Sequence, residues 1–106
     1  MKKYASAVCS VIMFASAAAL AADPVAGKEK SKPCAACHGP DGNSTTPDFP
    51  KLAGQHYDYL VKALKDYKSG ARKNAIMAPQ TANLPPRDIA DLAAFYSQQQ
   101  GLKVKY

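Results

Sequence analysis

The chain has 106 residues, a formal net charge of +6, three cysteines and no tryptophan. That length holds one small domain, and the positive balance comes without Lys/Arg runs interleaved with aromatic residues, which excludes a nucleic-acid partner. Leu, Ile, Val and Phe make up only about 15% of the residues after Ala21, below the level at which side chains alone readily build a core.

Residues 1–21 read as a secretory leader. Lys2 and Lys3 supply a charged start, Ala7 to Leu20 is an unbroken apolar and small run, and Ala19-Leu20-Ala21 matches a small-x-small cleavage pattern. The run is shorter than the ~20 residues a spanning helix needs, so no stable membrane insertion is expected after cleavage. The expected product is a single domain, 22–106, in the periplasm. Cys9 leaves with the leader, so Cys34 and Cys37 are the two cysteines that remain.

Asp23-Pro24 reads as a helix start, with Asp as N-cap and Pro at the first helical position. That helix is expected to run to about Lys32, where Pro33 disfavours its continuation. Gly27 has no side chain, which leaves room for another helix to cross closely. Cys34-Ala35-Ala36-Cys37-His38 follows as one further turn. C-x-x-C-H is the attachment signature of a c-type haem. Cysteines three apart lie about one turn apart, so both sulfurs can bond the two vinyl groups on one edge of the ring. His38 is then carried beneath the ring, where an imidazole nitrogen reaches the iron. One motif implies one haem c. A disulfide across so short a loop would not explain His38. A closed zinc site needs four ligands, and a thioredoxin-like role needs a βαβ pattern that this sequence lacks.

Residues 39–54 form a long loop rich in turn residues, in which Phe49 and Leu52 are the large apolar groups and are expected to face the ring. Gln55 to Ser69 reads as a second helix, with Tyr57, Leu60, Val61, Leu64 and Tyr67 on one stripe and Gly70 as its stop. Lys62, Lys65, Asp66 and Lys68 form its wet side. Residues 71–85 read as a second irregular stretch. Pro86 opens a last helix whose apolar face is Ile89, Leu92, Ala93 and Tyr96, with Phe95 beside it. There is no convincing strand. The expected fold is all-α, three main helices around one covalently attached haem with long connecting loops.

The far side of the iron decides the function. Met77 is the one thioether sulfur left after the leader, 39 residues beyond His38, in a proline-flanked stretch. His/Met ligation raises the reduction potential and suits one-electron transfer. Met77 could instead fill a gap in the core. His56 is the rival ligand and is expected to be exposed. An open side would make the protein a haem enzyme or sensor, peroxidase-like or gas-binding.

Taken together, Cys34-Ala-Ala-Cys-His-Gly, Asp41-Gly-Asn-Ser, Phe49-Pro-Lys-Leu-Ala-Gly-Gln, Tyr59-Leu-Val-Lys, Lys65-Asp-Tyr-Lys-Ser-Gly and Asp88-Ile-Ala-Asp-Leu-Ala-Ala-Phe-Tyr resemble a class I c-type cytochrome of the periplasmic c4 or c553 branch. The resemblance implies thioethers at Cys34 and Cys37, with His38 and Met77 as axial ligands. It also implies a first and last helix crossing near Gly27 and Phe95 or Tyr96, and a hydrogen bond from His38 to the Pro50 carbonyl. It implies a carrier of single electrons, not an enzyme, working between redox proteins such as a membrane cytochrome complex, a terminal oxidase or a periplasmic reductase. The protein would be a monomer or weak dimer. Lys28, Lys30, Lys32, Lys51, Arg72 and Lys73 lie in segments that could rim the ring. Pro33 before the first cysteine and Pro85-Pro86 before the last helix depart from the pattern. The c4 type carries two such domains, whereas this sequence has one.

Overall fold

The computed structural model describes residues 21–103 and Ser10. The expected leader therefore falls almost wholly outside the described residues. Among the described residues five helices follow in order: α1 Pro24–Lys30, α2 Lys32–His38, α3 Tyr57–Ser69, α4 Met77–Thr81 and α5 Pro86–Ser97. No strand occurs among the described residues, and none of their helices is long and apolar enough to cross a membrane.

α1 begins as expected. The Asp23 carboxylate accepts from the amides of Val25 and Ala26, and Pro24 takes the first helical position, where its missing N–H costs nothing. α1 stops at Lys30, short of the expected Lys32, and the further turn expected for the motif is a helix of its own. Ser31 ends α1 and the chain turns helical again at Lys32, with Pro33 inside the first turn of α2. Pro33 thus acts as a starter of the motif helix as well as a breaker of the one before.

α1 crosses α5 at Gly27, and α5 also packs on α3. A Cβ at Gly27 would lie 2.0 Å from the Asp91 carbonyl oxygen and 2.8 Å from Phe95 Cβ. Only glycine allows two backbones this close. Beside the crossing, Asp91 is 1% exposed. Its carboxylate accepts from the Asp23 amide at 2.8 Å, pairs with Lys30 at 2.7 Å and takes Arg87 Nε at 3.2 Å. Burial pushes the Asp91 carboxyl up. The Asp23 amide and the two cations outweigh that and hold it below the usual carboxylate value.

The 39–54 loop closes on the end of α5. Leu52 and Ala53 donate to the Gly42 carbonyl, Gly54 donates to Tyr96, and Leu102 donates to Ala53. α3 starts at Tyr57, two residues later than expected, and Tyr57 at its first position is 38% exposed, off the packed stripe. Leu60, Val61 and Leu64 do pack against Leu92, Ala93, Phe95 and Tyr96. Gly70 ends α3 in the left-handed conformation, φ 85°. The 71–85 stretch is not wholly irregular, since it contains α4, which packs on α3.

Candidate haem site

α2, α3, α4, α5 and the 39–54 loop surround one predominantly apolar cavity of about 300 Å³. Cys34, Cys37 and His38 line it from α2, Phe49 and Leu52 from the loop, and Met77 from α4. The two expected attachment residues and the two expected axial residues thus share one space. Both cysteines are half-buried and free. Burial pushes the Cys34 thiol above its ordinary value, and the neighbouring Tyr96 hydroxyl partly offsets that.

His38 is the last residue of α2 and is 6% exposed. Its Nδ1 lies 2.8 Å from the Pro50 carbonyl oxygen. A carbonyl can only accept, so Nδ1 carries the proton and Nε2 keeps its lone pair. Phe49 sets an edge against the imidazole at 6.4 Å. The tautomer and the ring plane are both fixed in this way, as a metal-bound histidine requires.

Met77 is held from both directions along the chain. The Asn74 side-chain oxygen accepts from the amides of Ile76 and Met77, each at 2.9 Å, and so starts the short helix. Thr81, 1% exposed, donates to the Met77 carbonyl at 3.0 Å. Neither anchor was anticipated from the sequence. Asn74 before an apolar pair is a cap signature that could have been found, whereas the burial of Thr81 has no local sign.

His56 is exposed and does not line the cavity. Among the described residues no cluster of three or more His, Cys, Asp or Glu could hold a metal by itself. The six basic residues in segments that could rim the ring differ in their surroundings. Of its six residues, Lys51 and Arg72 line the cavity. Lys30 is spent on Asp88 and Asp91, and Lys32 on Glu29. Arg72 lies 4.8 Å over the Tyr67 ring with its guanidinium 3.5 Å from the Tyr59 hydroxyl.

Residues 25–100 match the family model for cytochrome c. The chain belongs to the cytochrome c family. It is 48% identical over 80 residues to cytochrome c4 of Pseudomonas aeruginosa, which covers 76% of this chain and 40% of that protein. It is 45% identical over 83 residues to cytochrome c-554(548) of Halomonas halodenitrificans, covering 76% of this chain and all of the relative. The crystal structure of reduced recombinant cytochrome c4 from Pseudomonas stutzeri superposes with a TM-score of 0.73 at 44% identity, over 77% of this chain and 48% of that one. The chain thus spans less than half the length of the cytochrome c4 proteins it matches. The fold is that of a class I cytochrome c, and membership of the family implies covalently bound haem c.

The residues present fit that group. The cavity is predominantly apolar and is lined by two cysteine thiols, an imidazole and a thioether side chain. Lys51 and Arg72 line it as well.

Proposed function

We propose that this cytochrome carries single electrons through one haem c, joined to Cys34 and Cys37, with His38 and Met77 as its axial ligands. The observation that carries this reading is the cavity that His38 and Met77 both line, with His38 Nδ1 held at the Pro50 carbonyl. When bound, the haem supplies a one-electron iron couple. The rest is the work of this chain. The Pro50 carbonyl holds the His38 proton on Nδ1 and leaves Nε2 its lone pair. Asn74 and Thr81 fix the backbone of the short helix on which Met77 stands, so that its sulfur need not move between oxidation states. Leu60, Leu64, Leu92 and Ala93 keep water from the space.

The reading extends to a leader at 1–21 removed before a periplasmic domain at 22–106, and to redox-protein partners met at the Lys51 and Arg72 side. Replacing Met77 with Ala tests the axial assignment. The expected result is a high-spin iron and a lower reduction potential. An unchanged visible spectrum and potential would remove Met77 from the ligand set.

A further inference from the structure

Met77 stands in the stretch between α3 and α5, and that stretch leaves and rejoins the body at one place. On leaving, the Arg72 amide donates to the carbonyl of Asp66, in the last turn of α3, at 3.0 Å. On returning, the ammonium of Lys68, in the same turn, donates to the Leu84 carbonyl. α4, which carries Met77, packs on α3 between these two ties. The end of α3 thus grips both ends of the Met77 segment.

The Leu84 carbonyl depends on this donor. Pro85 and Pro86 follow it, and neither has an N–H. Among the described residues no backbone amide donates to it, because the first amides of α5, those of Asp88 and Ile89, go to the Pro85 carbonyl instead. The Leu84 amide in turn donates to the Thr81 carbonyl at 3.1 Å, and the Thr81 hydroxyl to the Met77 carbonyl at 3.0 Å. A line of hydrogen bonds therefore runs from Lys68 through Leu84 and Thr81 to the backbone of Met77. Lys68 itself is exposed and does not line the cavity. Lys62, on the same helix, is occupied by Asp66 at 2.6 Å, one turn away.

We propose that Lys68 is a clasp on the thioether side of the haem, closing the Met77 segment at its base and so keeping the sulfur on the iron against competing ligands. The proposal rests on His38 and Met77 being the axial pair. Lys68 is a positioning residue that acts through the backbone and touches neither haem nor redox partner. With the clasp open, the returning end of the segment is free, and the Asn74 and Thr81 bonds must hold Met77 on a looser loop. The fraction of molecules with the sulfur off the iron rises accordingly.

Imidazole reads that fraction, since it reaches the iron only where the thioether has left and its apparent affinity scales with the open population. The oxidised holoprotein is titrated with imidazole and followed by visible absorption, for wild type, Lys68→Met, Lys68→Arg, Lys62→Met and Met77→Ala. Lys68→Met keeps the apolar stem and removes the donor, at an exposed position that leaves the packed face of α3 intact. It is expected to bind imidazole roughly fivefold more tightly than wild type, the scale of one exposed hydrogen bond. Lys68→Arg, which keeps a donor, and Lys62→Met, which loses the same charge elsewhere on α3, stay within about twofold of wild type, well inside that scale. Met77→Ala binds most tightly and sets the fully open limit. A Lys68→Met affinity equal to wild type overturns the clasp, as does an equal rise in Lys62→Met or Lys68→Arg. A Met77→Ala affinity equal to wild type is a different failure, which removes Met77 from the iron and takes the proposed function down together with the clasp.

Discussion

The two sides of α5 solve the same burial problem by different means. Towards α1, Phe95 and the Asp91 backbone close directly on Gly27, and the Asp91 carboxylate ties Asp23, Lys30 and Arg87 together. That side is complete in polypeptide. Towards α3 and α4, Leu92, Ala93 and Tyr96 face a cavity, and much of what they need to bury against is absent from the chain. The difference teaches where specificity and stability come from. The helix crossing is written in residue size and charge, whereas the cavity side depends on a flat apolar ring being supplied. The shortage of Leu, Ile, Val and Phe in the sequence is the same fact seen earlier in the chain of causes.

The largest expected effect comes from denying the cavity its contents. Cys34→Ala/Cys37→Ala should yield a colourless chain with most of its helical circular dichroism lost. If that variant melted cooperatively near the wild-type temperature, the cavity side would be self-sufficient and the contrast would fail.

The crossing side should break next. Gly27→Leu places a Cβ against the Asp91 carbonyl, a backbone atom that cannot step aside. Overpacking of this kind should cost roughly 3 kcal/mol, read by denaturant unfolding of the holoprotein. A loss below about 1 kcal/mol would mean that the helices slide apart freely.

A smaller effect is expected at Asp91→Asn. Loss of the buried carboxylate from its cations and amide should cost about 2 kcal/mol at neutral pH. The sign with pH follows from the direction of the shift. The folded-state value lies below the unfolded value of about 3.9, so the stabilisation is fully present above that value. It is lost as pH falls through the folded-state value. The gap between wild type and Asp91→Asn should therefore be constant from pH 7 to about 5 and close in stronger acid. A gap that widens in acid would reverse the assignment.

The smallest effect belongs to two cations that line the cavity, Lys51 and Arg72. Lys51→Glu/Arg72→Glu should slow oxidation by ferricyanide, an anion, by roughly two- to fivefold at low ionic strength, with the difference vanishing at high salt. Equal rates at low salt would make these two residues ordinary solvated charge.

Most of the frame was legible because its signals are local. Asp23-Pro24 states a helix start, Gly70 a stop and Pro86 another start, and each acts within a turn of itself. The attachment motif is likewise contiguous. Gly27 could be read as a crossing point because a missing side chain matters wherever the partner lies. What could not be read depends on distant partners. Asp91 looks like an ordinary helix acid until Lys30, 61 residues away, is brought beside it. Thr81 acquires its role only when α4 forms, and α4 forms in a stretch whose prolines suggested a loop. The helix break fell at Ser31 and not at Lys32, because Pro33 fits the start of α2 as readily as it ends α1. The pairing of Lys30 was hidden for a related reason, since its carboxylate partners Asp88 and Asp91 come from α5.

The central claim is that the cavity holds an iron gripped on both sides, by His38 and by Met77. Its most direct test is the visible absorption of the purified holoprotein, oxidised and reduced, with and without carbon monoxide. The account predicts low-spin spectra in both states and no change when carbon monoxide is added. A high-spin spectrum that shifts on exposure to the gas would contradict it.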